Sequence, residues 1–204
     1  FVPIIYVAAT PYVLSVHPSM PVKTLKELIT FAKARPGEIN YASAGNGSTH
    51  HFSGELLKAL AGINLVHVPY KGGAPGMTDL IANQVQLMFN GIPSSLPHIS
   101  SGRIRALAVS SPARVAVAPD LPTFAESGIS GAEATSWTGI LAPAGTPAPI
   151  IARLNTELRA ILQLPEIRSR LIGDGAEHFL FLRRQLHPDR DRLAFGVPVF
   201  CRVE

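Results

Sequence analysis

Between residues 11 and 110 short apolar runs alternate with stretches of helical periodicity, and this alternation constrains the fold more than any other feature of the chain. It is the pattern of an α/β architecture in which parallel strands are joined by crossover helices. Strands are predicted at Tyr12 to His17, Ile39 to Ser43, Leu65 to Pro69, Val85 to Asn90 and Ile104 to Ser110. Each is short and mostly apolar, as suits strands covered on both faces.

The helices between them carry their own punctuation. Thr24 and Glu27 form a T-x-x-E capping box, Leu25, Leu28, Ile29 and Ala32 share one face, and Pro36-Gly37 stops the helix. A second helix is predicted from Thr49 to Leu60, ending at Gly62, with Phe52, Leu56, Ala59 and Leu60 as its buried stripe. A third starts near Pro75 and turns Met77, Leu80 and Ile81 inward; a short fourth covers Ser94 to Ser101. After Ser111 a Pro-rich connection leads to an apolar run from Thr135 to Ala142, where Trp137 is read as a packing residue rather than a cleft lining. Thr146-Pro147 then opens a long helix lined by Ile150, Leu154, Leu158 and Ile161, and Pro165 begins a shorter one. From His178 onward no helical or strand periodicity survives, and the segment is expected to lack regular structure.

Composition excludes several classes. The formal charge of +4 is unevenly placed: residues 178 to 204 hold five Arg against three acids, leaving 13 basic against 11 acidic side chains in the much longer body before them. With no basic cluster interleaved with aromatics, nucleic-acid binding is not expected. Mean hydropathy is +0.23, yet no run approaches the roughly 18 apolar residues of a membrane span. The one cysteine, Cys201, excludes an internal disulfide framework and a Cys-based zinc site. The opening FVPIIYVAAT lacks the basic region and cleavage pattern of a signal peptide and reads as strand.

The loop Ser43 to His50, S-A-G-N-G-S-T-H, joins a predicted strand to a predicted helix. Unpaired N–H groups at a helix start favour an anion, by roughly 0.3 to 1 kcal/mol for the dipole and up to about 2 when partly buried. Gly45 and Gly47 allow close approach, and Ser43, Asn46, Ser48 and Thr49 add polar donors. A second strand-to-helix loop, Pro69 to Pro75, brings Tyr70, Lys71, Gly72, Gly73 and Ala74; a third places Asn90. Carboxyl ends of parallel strands share one edge, where ligands of open α/β sheets bind. Taken singly, each element also fits an ordinary turn, a surface lysine or a packing aromatic.

Signs of catalysis are poor. Gly45 to His50 matches G-x-G-x-x-G only in its first two glycines, has no P-loop ending, and no G-x-S-x-G elbow exists. Adjacent His50 and His51 point about 100° apart on a helix, unlike a metal pair. His67 reads as a satisfied core histidine. A phosphate- or nucleotide-binding enzyme using Gly45 to Thr49 is the alternative, and would need a general base or metal cluster beside that loop. The sensing domain of a transcription regulator would need a basic DNA-binding helix-turn-helix, which the chain does not supply.

Several segments in order carry a family resemblance: V-L-S-V-H-P-S, R-P-G-E-I-N-Y-A-S-A-G-N-G-S-T-H, V-H-V-P-Y-K-G-G-A-P, L-P-H-I-S-S-G-R-I-R-A-L-A-V-S, L-P-T-F-A-E-S-G and S-W-T-G-I-L-A-P-A-G-T-P. Through about Glu177 the chain resembles the extracytoplasmic solute receptors of tripartite tricarboxylate transporters, the Bug or TctC type. That resemblance implies a type II periplasmic-binding-protein fold that closes on a small carboxylate or dicarboxylate, without catalysis or cofactor, and delivers it to membrane subunits. It implies a periplasmic, monomeric protein. Residues 1 to 12 would be a hinge segment, 13 to 133 the second domain with its return connection, and 134 to 177 the returning part of the first. Ligand contacts map onto the Ser43 to Thr49 loop, Gly72 to Pro75 and Asn90. The family's leading part of domain one, with its glycine-rich carboxylate loop, is not in this sequence, so the chain is expected to bind weakly. The Arg-rich tail stands where the family has an amphipathic helix, as a frameshifted reading would.

Overall fold

The first strand, β1 (Val2–Val16), is far longer than the segment predicted from Tyr12. Two partnerships explain its length. Tyr12 to Val16 lie between β4 (Leu87–Gly91) and β5 (Arg105–Val109), antiparallel to both, while Val2 to Pro11 pair antiparallel with β6 (Thr135–Ala142). With β2 (Asn40–Ser43) and β3 (Val66–Pro69), the sheet order is β3-β2-β4-β1-β5. The expected all-parallel sheet is therefore corrected to a mixed one: β2 runs parallel to β3 and β4, and β1 is reversed. A buried apolar run marks a strand but carries no direction. β3 is also not covered on both faces, because it lies at the sheet edge with Val66 exposed. The computed structural model describes residues 1–173, and the readings made for residues 178 to 204, Cys201 included, lie outside them.

Alternate residues of the strands feed opposite cores, as the pleat requires. On one face Leu14, Tyr41 and Phe89 pack with α1 (Leu25–Ala34) and α2 (Thr49–Ala61). On the other, Val13, Ala42 and Met88 meet α3 (Gly73–Ile81) and α4 (Ile92–Ser100). The helix α1 starts as predicted, with the Thr24 hydroxyl accepting from the Glu27 N–H at 3.2 Å. The return half of the capping box is displaced by one residue: the Glu27 carboxylate accepts from Lys23 N–H at 2.6 Å. α3 begins two residues before Pro75, and Gly76, Met77 and Leu80 are its buried residues, with Ile81 half-buried.

The stripe predicted for α2 is wrong by about one residue. Ser53, Gly54, Leu57 and Ala61 face the sheet, whereas Phe52 is 63% exposed and Leu60 is exposed as well. Close packing decides this, since a Cβ on Gly54 would lie 2.3 Å from the Tyr41 ring. Only a small-residue face lets the helix approach so near, and the larger apolar side chains are turned outward.

Beyond β5 the chain stays tied to the sheet. Phe124 stacks on Phe89 at 5.9 Å, and the buried Ser110 hydroxyl accepts from Tyr12 N–H at 2.8 Å while donating to the Ala134 carbonyl. The segments after it form a smaller, separate cluster. Ile4, Ile5 and Ala142 pack against Ile151, Leu158 and Leu162 of α5 (Ala148–Gln163), and Asn155 Nδ2 donates to the Ile4 carbonyl at 2.6 Å. α6 (Pro165–Gly173) follows. Of the apolar residues predicted to line one side of α5, Leu158 packs, whereas Ile150, Leu154 and Ile161 are exposed. Trp137, read as a packing residue, stacks on Tyr6 while remaining 56% exposed; among the described residues β6 pairs with β1 alone. No helix among the described residues is long and apolar enough to cross a membrane.

Candidate functional site

Two turns meet at the edge where β2, β3 and β4 end. The Tyr70 N–H donates to the Ser43 carbonyl at 3.0 Å and the Gly72 N–H to the Ala44 carbonyl at 3.2 Å, so the chain leaving β3 is stitched to the chain leaving β2. Gly45, at φ +123, passes so close to the Tyr70 carbonyl that a Cβ would stand 3.3 Å from it. A side chain there would meet both a strained backbone angle and a fixed neighbour.

Each turn ends in a helix start. Ser48 caps α2, its hydroxyl accepting from His51 N–H at 3.3 Å and donating to the Gly45 carbonyl at 2.7 Å. Among the described residues, the amides of Thr49 and His50 have no acceptor, nor do those of Gly73 and Ala74 at the start of α3. Gly72, at φ +106, offers α3 no side-chain cap, and Pro75 has no N–H. Two positive helix ends thus present donors at one edge.

Asn90, at the end of β4, closes the third side. It is 6% exposed, and its Oδ1 accepts from Gly91 N–H at 3.0 Å and lies 3.2 Å from His50 Nε2. A Cβ on Gly73 would come within 3.4 Å of both Asn90 Oδ1 and His50 Nε2, so the start of α3 also reaches this point. Tyr12 of β1 meets the His50 ring edge-on at 4.9 Å. Because β1 is reversed, its Tyr12 end, paired with Gly91, lies at the same edge.

The remaining sequence candidates support the turns. Ser43 is fully buried, accepting from Gly45 N–H at 3.1 Å with its hydroxyl 2.6 Å from His67 Nε2. Gly47 N–H donates to His51 Nδ1 at 3.1 Å and is not free for a ligand. Tyr70 donates its hydroxyl to Asp79 at 2.7 Å, bracing α3; burial, then Asp79, pushes its pKa up to about 12. Asn46 and Lys71 are exposed, and Thr49 is half-buried. Sequence reasoning missed His50 and Tyr12. Position in the first turn of the helix after an anion-type loop was the available signal for His50; nothing local marked Tyr12.

Beside the site three rings are stacked. His51 lies 4.1 Å from His67, and His67 4.9 Å from Tyr41, whose hydroxyl donates to Glu55 at 2.6 Å; Lys58 also reaches Glu55 at 2.9 Å. Burial, reinforced for His67 by His51, holds the pKa values of His50 and His67 below the ordinary 6.5, against the opposing pull of Asn90 on His50 and of Glu55 on His67. Groups whose folded pKa is depressed below the unfolded value bind fewer protons when folded, so stability falls as the pH drops below 6.5 toward the folded values. Thermal unfolding is expected at a lower temperature at about pH 5 than at about pH 7.5. Replacing His67 by Phe should flatten that dependence; an unchanged or rising midpoint on acidification contradicts it.

Among the described residues no cluster of metal-ligating side chains exists. Two concavities, of about 500 and 430 Å³, lie against Arg105 and Glu126, away from these turns. The site is a donor-rich edge of the sheet.

Comparison with known proteins gives this edge a context. Residues 1–187 match the family model of the tripartite tricarboxylate transporter family receptor. A protein of Pseudomonas sp. (strain P51), named as a UPF0065 protein in the tcbD-tcbE intergenic region, is 38% identical over 168 residues, 82% of this chain and 50% of its own length. Rpa4515 of R. palustris, solved with adipate, is 41% identical with a TM-score of 0.81, over 87% of this chain and 60% of that one. MatC from Rhodopseudomonas palustris, solved with bound malate, is 33% identical with a TM-score of 0.78, over 86% and 60%. The chain spans about half the length of the curated relatives it matches.

Proposed function

The chain belongs to the tripartite tricarboxylate transporter receptor family, and from that premise we propose that it is part of an extracytoplasmic receptor for a small dicarboxylate, acting in the periplasm without catalysis. The observation that carries the reading is the convergence of four acceptor-free amides, at Thr49, His50, Gly73 and Ala74, with the Asn90 carboxamide at one sheet edge. Such a surface offers donors to a carboxylate without the charge of a lysine or arginine clamp. Ser43, Gly45, Gly47, Ser48, Tyr70, Gly72 and Pro75 shape the turns, and Asn46 adds an exposed amide. The solved relatives that hold adipate and malate support a diacid of four to six carbons.

Residues 13 to 133 serve as the ligand-bearing domain; residues 1 to 12 and 134 to 177 form the hinge and part of the opposing domain. Support comes from the separate packing of Ile4, Ile5 and Ala142 against α5, and from the strand β1 that runs through both regions. Function then consists of closure about that hinge and presentation of the closed, monomeric form to membrane subunits.

Amide NMR of the 204-residue chain tests the site. Adipate and malate are expected to shift the Thr49, His50, Gly73 and Ala74 resonances in the millimolar range, because uncharged donors make the contacts without a lysine or arginine clamp. Citrate, glutamate, benzoate and AMP complete the panel. Silence toward all the acids, or a response to AMP alone, would overturn the receptor reading.

A further inference from the structure

We propose that His50 is a positioning residue that sets which end of the Asn90 carboxamide faces the ligand. Three contacts determine the arrangement. Gly91 N–H donates to Asn90 Oδ1 at 3.0 Å, His50 Nε2 lies 3.2 Å from the same oxygen, and His50 Nδ1 is buried with no partner among the described residues.

Which end of an amide is oxygen follows from its hydrogen-bond network. With Oδ1 toward Gly91 and His50, the oxygen accepts two N–H bonds, and the His50 proton resides on Nε2. The buried Nδ1 is then a bare lone pair. Turning the carboxamide over would aim its NH2 at the Gly91 N–H, a donor against a donor. It would also move the imidazole proton to Nδ1, where a buried N–H finds no acceptor. Both changes cost free energy, so the two features lock each other: the Nε2 tautomer of His50 holds the oxygen inward, and the Asn90 NH2 is the end left for a ligand. Tyr12, edge-on at 4.9 Å, fixes the ring plane, and burial disfavours the charged form of the imidazole.

The consequence is a site whose buried centre presents donors. Four amides and one NH2 group face the same edge, and the Asn90 Oδ1 acceptor beside them is already occupied. An ionised carboxylate satisfies such a surface, whereas a carboxamide brings its own NH2 against those donors. His50 therefore contributes to the choice of acid over amide without touching the ligand.

The test has one part that needs no ligand. In the 204-residue chain, 15N NMR of the imidazole should show His50 protonated at Nε2 and bare at Nδ1, with Asn90 side-chain NH2 resonances shifted in His50→Leu and retained in His50→Gln, whose amide donates in place of Nε2. Protonation at Nδ1, or Asn90 resonances identical in the wild type and both variants, would overturn the proposal whatever the chain binds. The second part rests on the receptor reading. Adipate or malate should bind about tenfold more weakly to His50→Leu and within about twofold of wild type to His50→Gln. His50→Leu should cost nothing further once Asn90→Ala is in place. An equal loss in the Leu and Gln variants, or an undiminished loss beside Asn90→Ala, makes His50 merely structural and overturns the proposal. If no acid shifts the wild-type amides, the receptor reading fails while the tautomer result stands.

Discussion

Gly54→Ala is expected to destabilise the protein by about 2 kcal/mol or more, although alanine is the better helix former. Helix propensity alone would add about 1 kcal/mol of stability at this position. The new Cβ, however, would sit 2.3 Å from a ring carbon of Tyr41, and Tyr41 cannot yield. It is fully buried, His67 stacks on its face, and its hydroxyl is tied to Glu55. Relief requires α2 to move off the sheet, carrying with it the Thr49 and His50 amides at its start. Urea unfolding of the variant measures the loss, and the adipate titration should weaken in parallel. A neutral or stabilised variant would mean that Tyr41 has room the packing does not show.

Asn90→Asp should abolish the carboxylate response at about pH 8. The substitution puts an anion where the proposed site offers an NH2, and two unit charges about 4 Å apart at a surface-like dielectric repel by about 4 kcal/mol, close to a thousandfold in affinity. The same carboxylate would stand beside His50 Nε2 and raise the imidazole pKa. Below that raised value the imidazolium cancels the new charge, so binding should return in part at about pH 6, where adipate and malate are still ionised. Isothermal titration at both pH values checks the sign. Undiminished binding at about pH 8 would remove Asn90 from the ligand's surroundings.

The sequence made the strands and helices between Tyr12 and Val109 readable, because their apolar periods and their stops at Pro36-Gly37 and Gly62 are local signals. Strand direction was not local, and the reversal of β1 escaped for that reason. The buried face of α2 escaped for another: Ser53 and Gly54 carry little apolar surface, and contact there is decided by how near the helix must come to Tyr41. At the candidate site, the two glycine-containing turns and Asn90 were visible as residue types at strand ends, and the structure brings them together. What the pattern could not reveal was which groups were already engaged. The Ser43 hydroxyl, the Gly47 N–H and the Tyr70 hydroxyl each find a partner inside the protein, all of them at residues more than three positions away along the chain.

The reversed strand also bears on how the polypeptide acquires its shape. β1 precedes every other strand in the chain, yet it fills the gap between β4 and β5, with Val13 opposite both Asn90 and Val109. Those pairings close loops of many tens of residues, so the middle of the sheet cannot zip up until the whole stretch through Val109 is at hand. Synthesis from the amino end therefore leaves an apolar ribbon waiting for neighbours for longer than a succession of adjacent strand–helix units would.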